Sequence, residues 1–130
     1  MNLVVDTSVL IAVLVSEPER TKIINQTESF DLLAPGSVHW EIGNALAAML
    51  KRKRINIDQV KTVLQAYENI PIRLRDADME MAMDIAAQYD LYAYDAYVIA
   101  CARENRCSLI SLDKNLLQAA RKARVSILEV

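Results

Sequence analysis

The stretch Leu3-Val4-Val5-Asp6-Thr7-Ser8-Val9-Leu10-Ile11-Ala12-Val13-Leu14-Val15 contains the change of pattern on which the fold turns. Leu3-Val4-Val5 is apolar without alternation, as in a strand covered on both faces. Asp6-Thr7-Ser8 then supplies capping side chains, and Val9–Val15 is apolar enough for a buried helix. A strand that passes directly into a helix opens a βα unit, and the same order recurs along the chain. Asp31-Leu32-Leu33-Ala34, Ile72-Arg73-Leu74, Ser108-Leu109-Ile110 and Ser126-Ile127-Leu128 read as further strands. Between them, helices are expected from Pro18 to Thr27, from a Ser37 cap to Lys53, and from Asn56 or Asp58 to Glu68. Asp76 caps the next, with Met79, Met83, Ala86 and Ala87 turned inward as core. A helix apolar almost all round runs from Asp95 to Ala102, and Asp113 caps a last one over Lys114–Lys122. Five alternations of strand and helix predict a single α/β domain, a three-layer α/β/α sandwich around a central parallel sheet. In such sheets ligands sit beyond the carboxyl ends of the strands, where strand order reverses.

The composition excludes several chemistries. The 130 residues include two glycines, so neither a dinucleotide-binding turn nor a phosphate loop can be written. A single histidine, His39, excludes a two-histidine zinc helix, and its place in the first turn of a helix suits a structural role. No serine stands in a G-x-S-x-G elbow. Cys101 and Cys107 have no C-x-x-C spacing and are expected reduced and partly buried. The apolar run Val9–Val15 is too short to span a bilayer and has no basic residue before it, so a cytoplasmic location without membrane contact is expected. What remains for chemistry is carboxylate oxygen.

A net charge of −2 conceals strong blocks. Lys51-Arg52-Lys53-Arg54 is the densest cationic run, whereas residues 76–95 carry six acids and no base. The basic run suits a helix C-terminus, where cations meet unpaired carbonyls, and equally a ridge for nucleic-acid phosphates. Among the acids, Asp6 directly follows the first strand, Asp113 lies just past the fourth, Asp95 opens the helix feeding it, and Glu41 stands about one turn into the helix after the second. Each alone is an ordinary cap or a solvated acid. Together they would meet at one edge of the sheet. Two carboxylates about 5 Å apart repel by roughly 3 kcal/mol at an effective dielectric near 20, so four must take up protons or hold a hard cation. Oxygen-only ligands suit Mg2+ or Mn2+, which bridge phosphate oxygens and prepare a hydroxide.

Several short segments, in order, resemble the PIN domain family, in particular its VapC-type toxin ribonucleases. They are Val4-Val5-Asp6-Thr7-Ser8-Val9-Leu10, Pro35, Val38-His39-Trp40-Glu41-Ile42, Asn44-Ala45-Leu46, Tyr94-Asp95-Ala96-Tyr97 and Leu109-Ile110-Ser111-Leu112-Asp113. The resemblance runs across essentially the whole chain. It implies a five-stranded sheet ordered 3-2-1-4-5 and Mg2+- or Mn2+-dependent endoribonuclease activity. It assigns Asp6, Glu41, Asp95 and Asp113 to the catalytic, metal-binding quartet and Ser8 and Ser111 to its support. It also implies a homodimer, an RNA substrate and a VapB-like antitoxin. Asn115 departs from the pattern, standing where some relatives carry a further Asp, which weakens the case for a fully occupied second metal site.

Other readings of Asp6 fit less well. A haloacid-dehalogenase-type phosphatase wants a second Asp two residues on, where Ser8 stands, and a receiver domain wants an acidic pair that is missing. A catalytically inactive RNA-binding or ribosome-associated adaptor on the same fold, and a DNA-directed nuclease, remain as alternatives. Tyr89, Tyr92, Tyr94 and Tyr97 are expected to pack around the buried helix rather than stack on bases.

Overall fold

The computed structural model describes all 130 residues. Four parallel strands, β1 (Asn2–Val5), β2 (Asp31–Pro35), β3 (Ile72–Arg75) and β4 (Ser108–Ile110), form a sheet in the order β3-β2-β1-β4. Leu3 pairs with Leu32 and Ser108, and Ala34 with Leu74. Seven helices connect them: α1 (Thr7–Leu14), α2 (Arg20–Thr27), α3 (Ser37–Lys51), α4 (Ile57–Glu68), α5 (Met79–Tyr89), α6 (Ala93–Glu104) and α7 (Lys114–Lys122).

The alternation of side chains along each strand divides the core in two. Leu3, Val5, Ala34 and Ile110 face one side, where they pack with Val9, Leu10, Ile23, Val38, Ile42, Leu46, Val60 and Val63 of α1–α4. Val4, Leu33 and Leu109 face the other, with Ala82, Ile85, Ala96, Ile99, Ala100, Leu116 and Ala120 of α5–α7. β1, β2 and β4 are therefore covered on both faces and read as apolar runs, whereas β3, at the edge of the sheet, alternates Ile72-Arg73-Leu74-Arg75 and is mostly exposed. This is the three-layer sandwich expected from the sequence.

The fifth strand is where expectation and structure part. Ser126-Ile127-Leu128 does lie beside β4, but it makes a single bridge, Leu109 with Ile127. Leu109 donates to the Ser126 carbonyl at 3.0 Å and accepts from the Leu128 N–H at 2.9 Å. The cause is the length of β4. Backbone groups of successive residues point to opposite neighbours, so Ser108 and Ile110 serve β1 and only Leu109 faces outward.

The helix after β3 also differs from expectation. Its cap is Asp78, which accepts from the Met81 N–H at 3.0 Å, not Asp76. The inward positions are Ala82 and Ile85, while Met79 and Met83 are exposed, as is Ala87. Packing sets the inner face: Ala82 and Ile85 are buried, with Ala86 packed beside them. Ser37 is not a cap either: Gly36 holds that position without a side-chain bond, and Ser37 Oγ is buried unpaired. Both cysteines are free, Cys101 buried and Cys107 half-buried. Burial pushes the Cys101 thiol up to about 12. No helix is long and apolar enough to cross a membrane.

Candidate active site

β1 and β4 are neighbours although far apart in sequence, and β2 lies on the other side of β1. Strand order reverses there, which leaves a crevice at the carboxyl ends of β1 and β4. Asp6 is the first residue beyond β1, and its N–H donates to the Ile110 carbonyl at 3.1 Å, which prolongs the ladder and fixes the backbone.

The Asp6 carboxylate sits at the N-cap of α1 yet makes no capping bond. Instead Ser8 Oγ and Ser111 Oγ each donate to its Oδ2 at 2.7 Å. Those two hydroxyls are themselves held. Ser8 Oγ accepts from the Leu112 N–H and Ser111 Oγ from the Asp113 N–H, both at 2.9 Å. A serine three residues past the first strand and one directly after the fourth thus lock the Asp6 carboxylate through one oxygen. Its Oδ1 has no protein donor.

Asp113 caps α7 through Oδ1, which accepts from the N–H groups of Asn115 at 2.9 Å and Leu116 at 3.2 Å, and leaves Oδ2 unengaged. Asp95 is not a cap. Tyr92 holds that position, and Asp95 lies within the first turn of α6. Burial first, then the charges of Asp113 and Asp6, raise the Asp95 carboxyl above its ordinary range. Glu41, one turn into α3, is pushed up from 4.5 to about 7, chiefly by burial and then by Asp6, with a smaller part from Asp95. The Thr7 hydroxyl offsets some of this, but without hydrogen-bond geometry, so Thr7 Oγ1 and Glu41 Oε1 are both buried without a partner.

Each carboxylate of the quartet thus feels another, and none forms an ion pair. No three of them close on a common point at metal-ligand distance.

Lys51, Arg52, Lys53 and Arg54 end α3 and the turn after it, all four exposed and free of salt bridges. They lie ten residues or more along α3 from Glu41, about 15 Å at the helical rise. The largest cavity, about 610 Å3 between the ends of α1 and α3 and the start of α4, is lined by Arg54 and Asp58 among others and contains none of the quartet.

Exposed aromatic side chains at the crevice depart from the sequence expectation. Tyr89 and Tyr97 pack on the core as expected, but Tyr92 and Tyr94 project into solvent. Trp40 is exposed too, and so is His39, which contacts Trp40 and the Tyr67 ring instead of entering the core. The periodicity of α3 contains the signal: Val38, Ile42 and Leu46 mark the inner face, and Trp40, two residues from Val38, falls on the opposite one.

A family model described as PIN domain matches residues 3–122. No curated protein sequence matches the chain. Among solved structures, PAE2754 from Pyrobaculum aerophilum superposes with a TM-score of 0.74 at 22% identity, covering 100% of this chain and 90% of that one. VapBC2 from Rickettsia felis, bound to a DNA fragment from its promoter, gives 0.74 at 9% identity over 99% of this chain and 98% of that one. FitAcB from Neisseria gonorrhoeae gives 0.66 at 17% identity over 97% and 96%. At these identities the likeness is one of fold.

Proposed function

The chain belongs to the PIN domain family, and from that premise we propose that it is a metal-dependent endoribonuclease, the toxin of a VapBC-type toxin–antitoxin pair. One observation carries the reading. Asp6, Glu41, Asp95 and Asp113 come from four separate elements to one edge of the sheet, where burial first and then the charges of the neighbouring acids raise Glu41 and Asp95, with no ion pair to balance them.

The donor set is all oxygen, and Asp6 Oδ1, Glu41 Oε1 and Asp113 Oδ2 have no protein partner. These residues would hold Mg2+ or Mn2+. When bound, such an ion would polarise a water for attack and neutralise charge on the phosphate being cut. The chain does the rest. Ser8 and Ser111 hold Asp6 by one oxygen and leave the other to bind. The cap at Asp113 orients its free oxygen. Glu41, with a carboxyl near 7, exchanges a proton at neutral pH and is held anionic by a cation beside it. Lys51, Arg52, Lys53 and Arg54 supply charge for phosphates farther along the strand.

The likeness to VapBC2 supports a VapB-like antitoxin as partner; a homodimer as the working form rests on the family resemblance alone, and both are read by light scattering of the chain alone and co-expressed with its neighbouring gene. The test of the activity is cleavage of RNA and DNA oligonucleotides with Mg2+, with Mn2+ and with EDTA, and with Asp6→Asn as control. RNA cleavage lost with EDTA and in Asp6→Asn is the expected result. Cleavage insensitive to both would overturn it, and cleavage of DNA alone would reassign the substrate.

A further inference from the structure

Thr7, Trp40, Glu41, Asn44, Ala45 and Tyr94 line a cleft of about 310 Å3 between α3 and the start of α6. Two of these are large aromatics that packing leaves in water, Trp40 72% exposed and Tyr94 55%. Neither ring hangs free. His39 meets Trp40 edge-on with ring centres 4.9 Å apart, and Tyr97 meets Tyr94 the same way at 6.0 Å. Such contacts restrict the rings before anything binds, which lowers the entropy lost on binding. The cleft also holds an unsatisfied group: Thr7 is 9% exposed, and its Oγ1 has no hydrogen-bond partner. A buried hydroxyl without a partner is uncommon and suits a polar group that arrives from outside. No Lys or Arg lines the cleft, so it does not suit a phosphate. Flat, uncharged rings with polar edges fit it: aromatic faces stack on any base, and the Asn44 amide offers a donor and an acceptor to a base edge.

We propose that Trp40 and Tyr94 form a stacking subsite for one nucleobase beside the phosphodiester being cut. The inference rests on the nuclease reading, because the scissile phosphate is placed by the carboxylates next to Glu41. A base inside a duplex is already stacked on its neighbours and must be extracted before it can enter.

Trp40 is the chain's single tryptophan, so its fluorescence reports on this cleft alone. The probes are a short oligoadenylate of about a dozen nucleotides, an abasic strand with the same number of phosphates and a hairpin duplex, each titrated with Ca2+ in place of Mg2+. Oligoadenylate should quench Trp40, and the abasic strand and the duplex should not. Tyr94→Leu should weaken oligoadenylate binding roughly 5- to 150-fold, the range for losing one base–aromatic stack. Tyr94→Phe, which keeps the ring, should restore most of it. Both side chains are exposed, so the substitutions leave the core intact. Equal quenching by the abasic strand, or unchanged affinity in Tyr94→Leu, would overturn the subsite. So would Trp40 emission that follows protein concentration and ignores nucleic acid, which would make the aromatic pair a contact between copies. Base-dependent quenching without cleavage in Mg2+ or Mn2+ would leave the subsite standing and remove the nuclease. Cleavage without base-dependent quenching would do the reverse.

Discussion

Glu41→Gln should stabilise the metal-free protein at alkaline pH and not in mild acid. The Glu41 carboxyl is raised from 4.5 to about 7 in the folded chain, by burial and then by Asp6. Between those two values the folded protein binds a proton that the unfolded chain has released. Stability therefore falls as pH rises through this window, and above about pH 7 the whole deficit is present. At about 1.4 kcal/mol for each pH unit the shift sets an upper limit between about 3 and 4 kcal/mol. Glu41 is only half-buried, and solvent screening reduces this to about 1–2 kcal/mol. Glutamine keeps the volume and drops the charge. In EDTA at about pH 8 the variant should melt higher by roughly 3–8 °C, given the entropy of unfolding of a chain this long. Near pH 4.5 the two proteins should melt together. Mg2+ should narrow the gap at pH 8, because the wild type gains about 1.4 kcal/mol at ten times its dissociation constant while the variant, lacking one ligand, gains less. Melts followed by circular dichroism across pH, with EDTA and with Mg2+, supply the measurement. A difference that is the same at pH 4.5 and pH 8, or a variant less stable at pH 8, would refute the argument.

Asp113→Asn keeps a capping side chain and removes an anion, so it should fold, lose cleavage and show a smaller rise in melting temperature with Mn2+ than the wild type; an equal rise excludes Asp113 as a ligand. Ser111→Ala takes one of the two donors from Asp6 and leaves the Asp113 N–H without its acceptor. It should cost about 1–3 kcal/mol in denaturant unfolding and weaken Mg2+ binding roughly 10- to 100-fold by calorimetry. Replacing Lys51, Arg52, Lys53 and Arg54 with Gln should flatten the salt dependence of RNA binding by about 0.7 in log–log slope for each phosphate no longer neutralised; an unchanged slope confines the block to ending α3. Cys101, buried with its thiol raised to about 12, should resist iodoacetamide at pH 8 in the native protein and react once it is unfolded, as mass spectrometry of the alkylated chain would read.

Much of this molecule is legible in local pattern. The passage from Leu3-Val4-Val5 into Asp6-Thr7-Ser8 marks a strand end and a helix start, because uninterrupted apolar residues and short oxygen side chains have few other uses side by side. The same logic locates β2, β4, α3 and α7 within a residue or two. It fails on α5, where Asp76 and Asp78 are equally good caps in sequence and a shift of two residues turns Met79 and Met83 from core to surface. It fails on Tyr92 and Tyr94 because aromatic content argues for burial, and only the packing around α6 decides which side chains are left in water.

By itself, the sequence determined the alternation of strand and helix, the three layers and the place of Asp6 and Asp113 at the ends of their elements, since these follow from side-chain periodicity and capping within a few residues. Tertiary structure alone decided what the acids become. Asp6 and Ser111 are 105 positions apart, and only the adjacency of β1 and β4 brings the Ser111 hydroxyl to 2.7 Å from Asp6. The shift of Glu41 depends on burial against α1 and on the field of Asp6, neither of which its neighbours in sequence contain. The last strand shrinks to one bridge because a three-residue β4 turns a single residue outward. Local pattern sets where each side chain stands on its own element; distance, dielectric and the pairing of edges exist only between elements.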